Sequence, residues 1–262
     1  MNPYLPKPSK ILKIVPQTDI DYTFFVESDM DLRSGQFVQL SVPKAGEAPI
    51  SVSDFGDGYL EMTIRKVGRV TDEIFNKEVG DLLYLRGPYG NGFKVEDHFG
   101  KDLIIVAGGT GLAPIKNFIN YYYENLDKLK SLRLIVGFKS MDNRLFIDEL
   151  SKWGKRFPVN VTLDKPEPGW IGSTGFVTEY VSKMVIHDLE NTHAVIVGPP
   201  PMMKFTALGF SQIGLRDEQI WMSFERKMSC ALGKCGHCKI NETYVCLEGP
   251  VFRYDKAVEL VD

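Results

Sequence analysis

The pattern of apolar and polar positions along the chain changes near residue 100. Over residues 1–98, short apolar or alternating runs are bounded by Gly, Pro, Asn and Asp, which predicts strands joined by turns. The predicted strands cover residues 10–15, 23–28, 36–43, 50–54, 59–67 and 82–87, and one short helix covers residues 71–76. Because many short strands leave free edges unless their sheet closes, we expect an antiparallel β-barrel here.

Beyond residue 100, continuous apolar runs are separated by segments of helical periodicity. The apolar runs at residues 103–107, 132–138, 160–163, 194–197 and 220–224 are typical of strands buried on both faces of a parallel sheet. Helices are predicted at residues 114–126, 145–156 and 177–185, and another begins near Pro200. This alternation of strand and helix indicates a doubly wound α/β domain.

Composition and charge exclude several classes of protein. Lys and Arg total 31 against 34 Asp and Glu, which gives a net charge of −3. No basic surplus therefore attracts nucleic acid or an anionic membrane surface. The N-terminus lacks the apolar core of a signal peptide, and the longest uncharged stretch, residues 103–115, is shorter than the ~20 residues that cross a bilayer. We expect a soluble, cytoplasmic protein that binds neither nucleic acid nor membrane.

All four cysteines lie near the C-terminus, at Cys230, Cys235, Cys238 and Cys246. Disulfides that staple a secreted domain would be spread along the chain, so this grouping indicates a metal centre. The spacing C-x4-C-x2-C-x7-C, with three thiols in one glycine-rich loop, matches the plant-type arrangement for a [2Fe–2S] cluster. Zinc and two local disulfides stay open as alternatives, and His237 is expected to be a solvated loop residue.

The predicted organisation has three parts. An antiparallel β-barrel covers residues 1–98, and a parallel-sheet nucleotide domain covers residues 99–224. A small domain at residues 225–262 carries the cysteines. Because this last segment is short and poor in core residues, we expect it to depend on its metal for folding. The fold class is therefore multidomain, β followed by α/β.

Glycine-rich turns follow two of the predicted parallel strands. One turn contains Gly108, Gly109, Thr110 and Gly111, and the other contains Gly198, Pro199 and Met202. Ligands of such sheets lie at the carboxyl ends of strands, where glycines let the backbone approach a diphosphate. The two turns therefore predict a dinucleotide site. The first turn departs from the G-x-G-x-x-G fingerprint, so a tight strand–helix turn stays open as the alternative.

A third candidate site lies in the predicted barrel. Pro49, Ile50 and Ser51 are expected beside a second segment that combines cations, a glycine and a helix start. That segment contains Ile64, Arg65, Lys66, Gly68, Arg69, Val70 and Thr71. Such a combination can hold a diphosphate, although for this segment taken alone a charged strand end is the favoured explanation.

The histidines provide no obvious catalytic group. His98, His187 and His193 lie near predicted element boundaries without evident partners, so we expect surface or capping roles for them. No ordered Ser–His–Asp set is apparent. Any catalysis would then rest on cofactors, with the protein supplying position and electrostatics.

In this order, the barrel, the nucleotide turns and the cysteine tail resemble the ferredoxin–NADP reductase superfamily, in its branch with a C-terminal [2Fe–2S] domain. The resemblance implies FAD lined by Pro49, Ile50 and Ser51, with residues 64–71 around its ribityl and diphosphate groups. It also implies NAD(P)H at residues 108–111 and 198–202. One departure is Ala48, because the family usually has an arginine there. The diphosphate would then be neutralised elsewhere, by Arg65 or Arg69.

Within this branch, three segments are most similar to the electron-transfer subunits of anaerobic sulfite reductases. They are residues 2–6, residues 48–54 and the segment from Glu225 to Cys238. This similarity implies NADH oxidation through FAD and a [2Fe–2S] cluster. Single electrons would pass to a ferredoxin-like iron–sulfur subunit and a siroheme sulfite reductase subunit.

Three alternatives to that assignment stay open. The electron-transfer subunit of dihydroorotate dehydrogenase and the gamma subunit of cytosolic hydrogenases share most of the motifs. The third alternative is a zinc-stabilised nucleotide-binding regulator without redox activity. The resemblance favours NADH as the coenzyme, although Lys139 and Arg144 follow the second parallel strand, where a 2′-phosphate would lie.

Overall fold

The computed structural model describes residues 2–260, which divide into two compact units. The first unit comprises residues 2–93, Ala113–Asn117 and Glu225–Val251, and the second comprises Lys94–Leu112, Phe118–Phe224 and residues 252–260. The cysteine-bearing segment thus clusters with the N-terminal strands. The predicted division into three domains stays a prediction, and its outermost ends, Met1 and residues 261–262, lie outside the described residues.

The regular elements follow the predicted change from strands to alternating strands and helices. The strands are β1 (Lys7–Pro16), β2 (Asp21–Glu27), β3 (Phe37–Val42), β4 (Gly46–Ser51), β5 (Asp54–Gly56), β6 (Tyr59–Arg65), β7 (Leu82–Tyr89), β8 (Asp102–Gly108), β9 (Ser131–Phe138), β10 (Val159–Leu163), β11 (Ser173–Thr174), β12 (Thr192–Val197), β13 (Ile220–Ser223), β14 (Lys239–Ile240), β15 (Thr243–Tyr244) and β16 (Val251–Arg253). The helices are α1 (Arg69–Phe75), α2 (Lys116–Glu124), α3 (Ile147–Trp153), α4 (Val177–Ser182), α5 (Pro200–Gln212), α6 (Val245–Glu248) and α7 (Tyr254–Ala257). Short 3-10 turns at Val95–His98, Gly109–Leu112, Leu126–Lys128, Met141–Asn143, Asp217–Gln219 and Val258–Leu260 complete the list.

Strands β1 to β7 form one antiparallel sheet in the order β4-β3-β7-β1-β2-β6-β5. Alternate side chains along each strand point to one face, where they meet in a hydrophobic core. In β3, Val38 and Leu40 face this core, and their register partners on β4 are Ile50 and Ala48. The side chains between them, such as Gln39, face the opposite side. The expected antiparallel barrel-type domain is confirmed.

The second unit contains a seven-stranded sheet in the order β11-β10-β9-β8-β12-β13-β16. Its central strands β8, β9, β10, β12 and β13 pair in parallel, and their apolar runs are buried. The order runs outward from β8 in one direction and from β12 in the other, so the topological switch point lies between these two strands. This is the predicted doubly wound arrangement, and it confirms the α/β domain.

Two details of the strand prediction are wrong. The single strand expected at residues 50–54 is two strands, because the chain turns at Val52 and Ser53, whose amides donate to Gln36 and Glu61 carbonyls. Ile50 and Val52 continue the apolar alternation through this turn, so the sequence pattern does not reveal it. The run at residues 220–224 is also not the last strand that the chain adds to this sheet, since β16 from the predicted C-terminal domain lies beyond β13.

A buried ion pair lies within the first unit. The Lys116 ammonium is 2.6 and 2.8 Å from the two carboxylate oxygens of Glu61, and both side chains are almost fully buried. The next residue, Asn117, donates its amide to the Ser53 carbonyl at 2.8 Å and its side chain to Asp54 at 2.6 Å. These contacts attach the short segment Ala113–Asn117 to β6 and to the turn before β5.

The expectation that the histidines lack partners is wrong for two of them. His98 and His193 face each other in the second unit with their Nδ1 atoms 3.1 Å apart, and both rings contact Trp221. Burial lowers the pKa of His98 to about 3, and the neighbouring His193 adds to this effect. Burial and the charge of Lys101 lower the pKa of His193 to about 4. The pair is therefore neutral in the folded protein, with one ring donating to the other.

We expect this histidine pair to make the second unit acid-sensitive. An unfolded histidine binds a proton below about pH 6.5, whereas folded His98 does not, so stability is lost as the pH falls. Between about pH 6.5 and 4.5, His98 alone should lower the free energy of unfolding by about 2–3 kcal/mol. Trp221 fluorescence during urea unfolding measures this. The double variant His98→Gln/His193→Gln should show a flatter pH dependence, and an unchanged slope would contradict the assignment.

Within residues 2–260, no helix combines the length and the apolar character that a bilayer crossing requires.

Candidate cofactor and electron-transfer site

The structure brings the two glycine-rich turns together at the switch point of the parallel sheet. The turn after β8 approaches β12 so closely that a Cβ on Gly111 would lie 2.5 Å from the Val197 carbonyl oxygen. A Cβ on Gly108 would lie 2.3 Å from the Met202 sulfur, and Gly198 meets the same side chain. Gly109 has a left-handed φ of +54° and open space beside its Cα. Packed glycines around an open position fit a backbone cradle for a diphosphate.

Pro49, Ile50 and Ser51 lie on β4, the strand at one end of the antiparallel sheet. All three are half-buried, and half of the backbone groups of an edge strand point away from its sheet. Nearby in the same unit, Val70 packs against the barrel core, and a Cβ on Gly68 would meet open space. The half-buried strand can line a flat ring system. The open space beside Gly68 can hold a diphosphate attached to that ring system.

The turn from β6 into α1 is closed by Thr71. Its hydroxyl accepts from the amides of Val67 and Gly68 at 2.9 and 3.0 Å and donates to the Gly68 carbonyl. Ile64, at the end of β6, is buried in the barrel core. The turn therefore has a fixed backbone shape, with exposed positions on its outer side.

The cations of this region have different partners. Arg65 forms a two-point ion pair with the fully buried Asp21, at 2.8 and 2.9 Å, which raises the pKa of Arg65. Arg69 is exposed and donates to the Lys44 carbonyl at 2.6 Å, and Lys66 lies over the Phe75 ring. Because the charge of Arg65 is already balanced, Arg69 is the better placed of the two to neutralise a diphosphate.

The cysteine loop directs backbone N–H groups at its sulfurs. The amides of Leu232, Lys234 and Cys235 donate to Cys230 Sγ at 3.3 to 3.4 Å, and the Gly233 amide donates to Cys246 Sγ at 3.3 Å. The loop reaches this shape through left-handed residues at Ala231, Gly233 and Gly236. At Gly233 the left-handed φ of +66° favours glycine, and a Cβ would also displace the exposed Leu247 side chain. Amides donating to several sulfurs suit an iron–sulfur cluster, whose thiolates they stabilise.

The four thiols differ in exposure. Cys238 and Cys246 are buried, Cys230 is half-buried and Cys235 is exposed; all four are free, so the disulfide alternative is wrong. Hydrogen bonds with the backbone at Cys230 and His237 lower the pKa of Cys235 to about 7, whereas burial raises the pKa of Cys246 to about 12. Since thiolates are the metal ligands, loading this site releases protons. Among the described residues, no three His, Cys, Asp or Glu side chains converge on one ion-sized point.

Two side chains of the barrel hold the cysteine tail. Arg86 of β7 donates to the Ser229 and Cys230 carbonyls, both at 2.7 Å, and forms a two-point ion pair with Glu47 of β4. Asn91 donates to the Glu248 and Val251 carbonyls at 2.7 and 2.9 Å and accepts from the Val251 amide. The tail thus has protein anchors of its own as well as buried side chains such as Ile240 and Val245.

These anchors are absent from the sequence-based predictions. Glu47 directly precedes the Ala48-Pro49-Ile50-Ser51 motif, and Asn91 lies within the glycine-rich segment after β7, but neither position carries a local signal for its partner. Arg86 lies in a strand whose apolar alternation it interrupts. A lone arginine in a buried strand was the one available signal, since a charge there requires a partner.

Comparison with known families and proteins supports this arrangement. Residues 105–207 match the oxidoreductase NAD-binding domain, and residues 225–258 match the iron–sulfur cluster binding domain of dihydroorotate dehydrogenase B. The chain is 35% identical to sulfhydrogenase 1 subunit gamma from Pyrococcus furiosus, over 97% of this chain and 92% of that protein. It is 34% identical to a probable dihydroorotate dehydrogenase B (NAD(+)) electron transfer subunit from Methanothermobacter thermautotrophicus, over 95% and 89%.

A solved structure shares the whole architecture. The chain superimposes on an NADH-dependent reduced ferredoxin–NADP oxidoreductase with a TM-score of 0.78 and 26% identity, covering 97% of this chain and 92% of that chain. A ferredoxin reductase of carbazole 1,9a-dioxygenase, at 21% identity, superimposes with a TM-score of 0.72 over 82% and 68%. The latter likeness shows the fold alone.

The barrel, the doubly wound sheet and the cysteine loop define an NAD(P)H-dependent oxidoreductase subunit of the flavin and iron–sulfur type. The chain belongs to the ferredoxin–NADP reductase superfamily, in the branch that carries an iron–sulfur cluster binding domain after its NAD-binding domain.

Proposed function

We propose that this chain is a cytoplasmic electron-transfer subunit that oxidises NADH by means of FAD and passes single electrons through a [2Fe–2S] cluster to a partner subunit. The observation that carries the proposal is the cysteine loop, whose amides donate to Cys230 and Cys246 sulfurs on the same unit as the half-buried strand β4. Bound FAD supplies the conversion from a two-electron hydride donor to a one-electron acceptor. Cys230, Cys235, Cys238 and Cys246 would hold the cluster through their thiolates.

The barrel residues have distinct tasks in FAD binding. Pro49, Ile50 and Ser51 line the isoalloxazine, and exposed Arg69 neutralises the diphosphate in place of the arginine that Ala48 replaces. The fixed turn holds the ribityl and diphosphate groups with Ile64, Arg65, Lys66, Gly68, Val70 and Thr71. Arg65 contributes through its pair with Asp21, which fixes the end of β6.

The switch point of the parallel sheet binds NADH. Gly108, Gly109, Thr110 and Gly111 present their backbone to the diphosphate, and Gly198, Pro199 and Met202 form the facing wall. Hydride transfer between two cofactors does not require a side chain that donates or accepts a proton. We therefore propose no catalytic residue.

Replacing Gly111 with alanine should raise the KM for NADH about tenfold, because the new Cβ would force the two turns apart. Steady-state oxidation of NADH with ferricyanide as acceptor measures this, with tryptophan fluorescence as a check that the second unit is folded. Gly154→Ala is the matched control, since Gly154 ends α3 at a φ of −61° with its nearest contact at 3.3 Å. An unchanged KM in a folded Gly111→Ala protein would contradict the assignment of this site to NADH.

The proposed acceptor is the ferredoxin-like subunit of an anaerobic sulfite reductase, which would feed a siroheme subunit. This part rests on the motif similarity of residues 2–6, 48–54 and 225–238. A second candidate is the electron-transfer subunit of a hydrogenase, which the 35% identity to a sulfhydrogenase gamma subunit favours. Affinity purification of the complex from the native host distinguishes the two, because one complex would contain siroheme and reduce sulfite and the other would evolve hydrogen.

One spectrum tests the proposed chemistry. Anaerobically purified protein should show flavin and iron–sulfur absorption, and NADH should bleach both. It should reduce ferricyanide with NADH and should not reduce sulfite without partners. A colourless protein with stoichiometric zinc would instead support the non-redox regulator.

A further inference from the structure

Arg86 joins the barrel to the backbone of the first cysteine of the tail. Its side chain is 6% exposed, and its guanidinium donates to the carbonyls of Ser229 and Cys230, to the Tyr89 hydroxyl and to Glu47. Two of these acceptors belong to the peptide units at the first cluster cysteine. A fixed positive charge therefore lies next to the backbone of a cluster ligand.

Glu47 connects the same arginine to the flavin side of the barrel. It lies on β4, two residues before Pro49, and its carboxylate also accepts from the Ser41 hydroxyl at 2.8 Å. Although burial acts to raise the pKa of Glu47, the hydrogen bonds of Arg86 and Ser41 keep that pKa below its ordinary value. The carboxylate is ionised, so Arg86 and Glu47 form a neutral pair between β4 and the cysteine loop.

The pair is largely shielded from solvent, since the Arg86 side chain is 6% exposed and the Glu47 side chain is 27% exposed. Gln39, the register partner of Arg86 on β3, points away from the barrel core and yet is 0% exposed. Removal of Glu47 would therefore leave the Arg86 charge in a buried position, and removal of Arg86 would leave a half-buried carboxylate; solvent screens either charge less than it would a fully exposed one, so each affects a nearby redox centre.

We infer that Arg86 and Glu47 are positioning residues for the [2Fe–2S] cluster: Arg86 clamps the first cysteine to the barrel, and the balanced charges of the pair set the cluster's reduction potential. This inference rests on the proposed function. Reduction adds one negative charge to the cluster, so an unbalanced Arg86 favours the reduced form and an unbalanced Glu47 disfavours it. The two charges therefore act in opposite directions on one measurable quantity.

The test is an anaerobic redox titration of the cluster followed by electron paramagnetic resonance. Arg86→Gln should lower the midpoint potential and Glu47→Gln should raise it, each by about 59 mV, the equivalent of a tenfold change in the one-electron equilibrium. The double variant Arg86→Gln/Glu47→Gln should return close to the wild-type value. Arg86→Lys, which keeps the charge, should shift the potential far less than Arg86→Gln. Arg216→Gln removes a cation from an exposed ion pair of the second unit and is the control for general charge effects.

Opposite shifts that cancel in the double variant support the inference, since loss of a merely structural contact would move both variants in the same direction. If the two single variants shift the midpoint potential in the same direction, or if neither shifts it, the inference is overturned. If Arg86→Gln loses its iron, Glu47→Gln decides: a raised potential at full iron content supports the inference, and an unchanged one overturns it. A wild-type protein without acid-labile sulfide would instead contradict the proposed function itself.

Discussion

Replacing Lys116 with methionine should lower the free energy of unfolding of the barrel unit by about 3–5 kcal/mol, because it removes the cation that faces the buried carboxylate of Glu61. Methionine fills a similar volume, so the loss measures the charge and not a cavity. Unfolding in urea, followed by flavin fluorescence, reports the barrel. The three tryptophans, Trp153, Trp170 and Trp221, all lie in the second unit and report that unit separately.

Two further variants separate the ion pair from general effects. The double variant Lys116→Met/Glu61→Leu should regain most of the lost stability, because no uncompensated buried charge remains. Lys7→Met is the matched control in the same unit. Lys7 forms an exposed pair with Asp29 at 3.7 Å and should contribute less than about 1 kcal/mol. Equal losses in Lys7→Met and Lys116→Met would contradict the importance of burial.

Replacing Cys246 with serine should separate the two halves of the proposed reaction. The NADH–ferricyanide activity at the flavin should persist, whereas the paramagnetic signal of a reduced cluster after NADH addition should fall at least about a hundredfold, since even outer-shell changes at metal sites cost 10–100-fold. Cys246 is 1% exposed and lies at the start of α6. Cys235→Ser, at an exposed position, repeats the test without disturbing a buried side chain.

His237→Ala is the control for this experiment. His237 lies between two cysteines and would matter if the metal took three cysteines and one histidine. Because it is exposed, we expect the variant to keep its cluster and its signal. Loss of the cluster in His237→Ala, with retention in Cys246→Ser, would show that the ligand set is wrong.

Local patterns were enough to predict most of the architecture. The alternation at residues 59–67 and the continuous run at 132–138 predicted β6 and β9, because burial on one or two faces imposes a period that a short window displays. The cysteine spacing likewise predicted a glycine-rich loop, and amides of that loop donate to the Cys230 and Cys246 sulfurs. In these cases the interacting residues are close in sequence or repeat regularly.

The interactions that sequence analysis missed join distant positions. Arg86 reaches Glu47 over 39 residues and Cys230 over 144, and His98 meets His193 over 95. No periodicity links such pairs, and either partner alone resembles an ordinary charged or surface residue. The position of β16 at the sheet edge was missed for the same reason, since a three-residue strand carries almost no pattern of its own.

The assignment of residues 225–251 to the same unit as residues 2–93 affects how the protein is made. Domains usually fold as they emerge from the ribosome, N-terminal part first. Here the side chains that grip the cysteine tail, Arg86 and Asn91, are synthesised long before the peptide groups they bind. The first compact unit is therefore completed only after residues 225–251 have been synthesised, behind the whole of segment Phe118–Phe224, which belongs to the other unit.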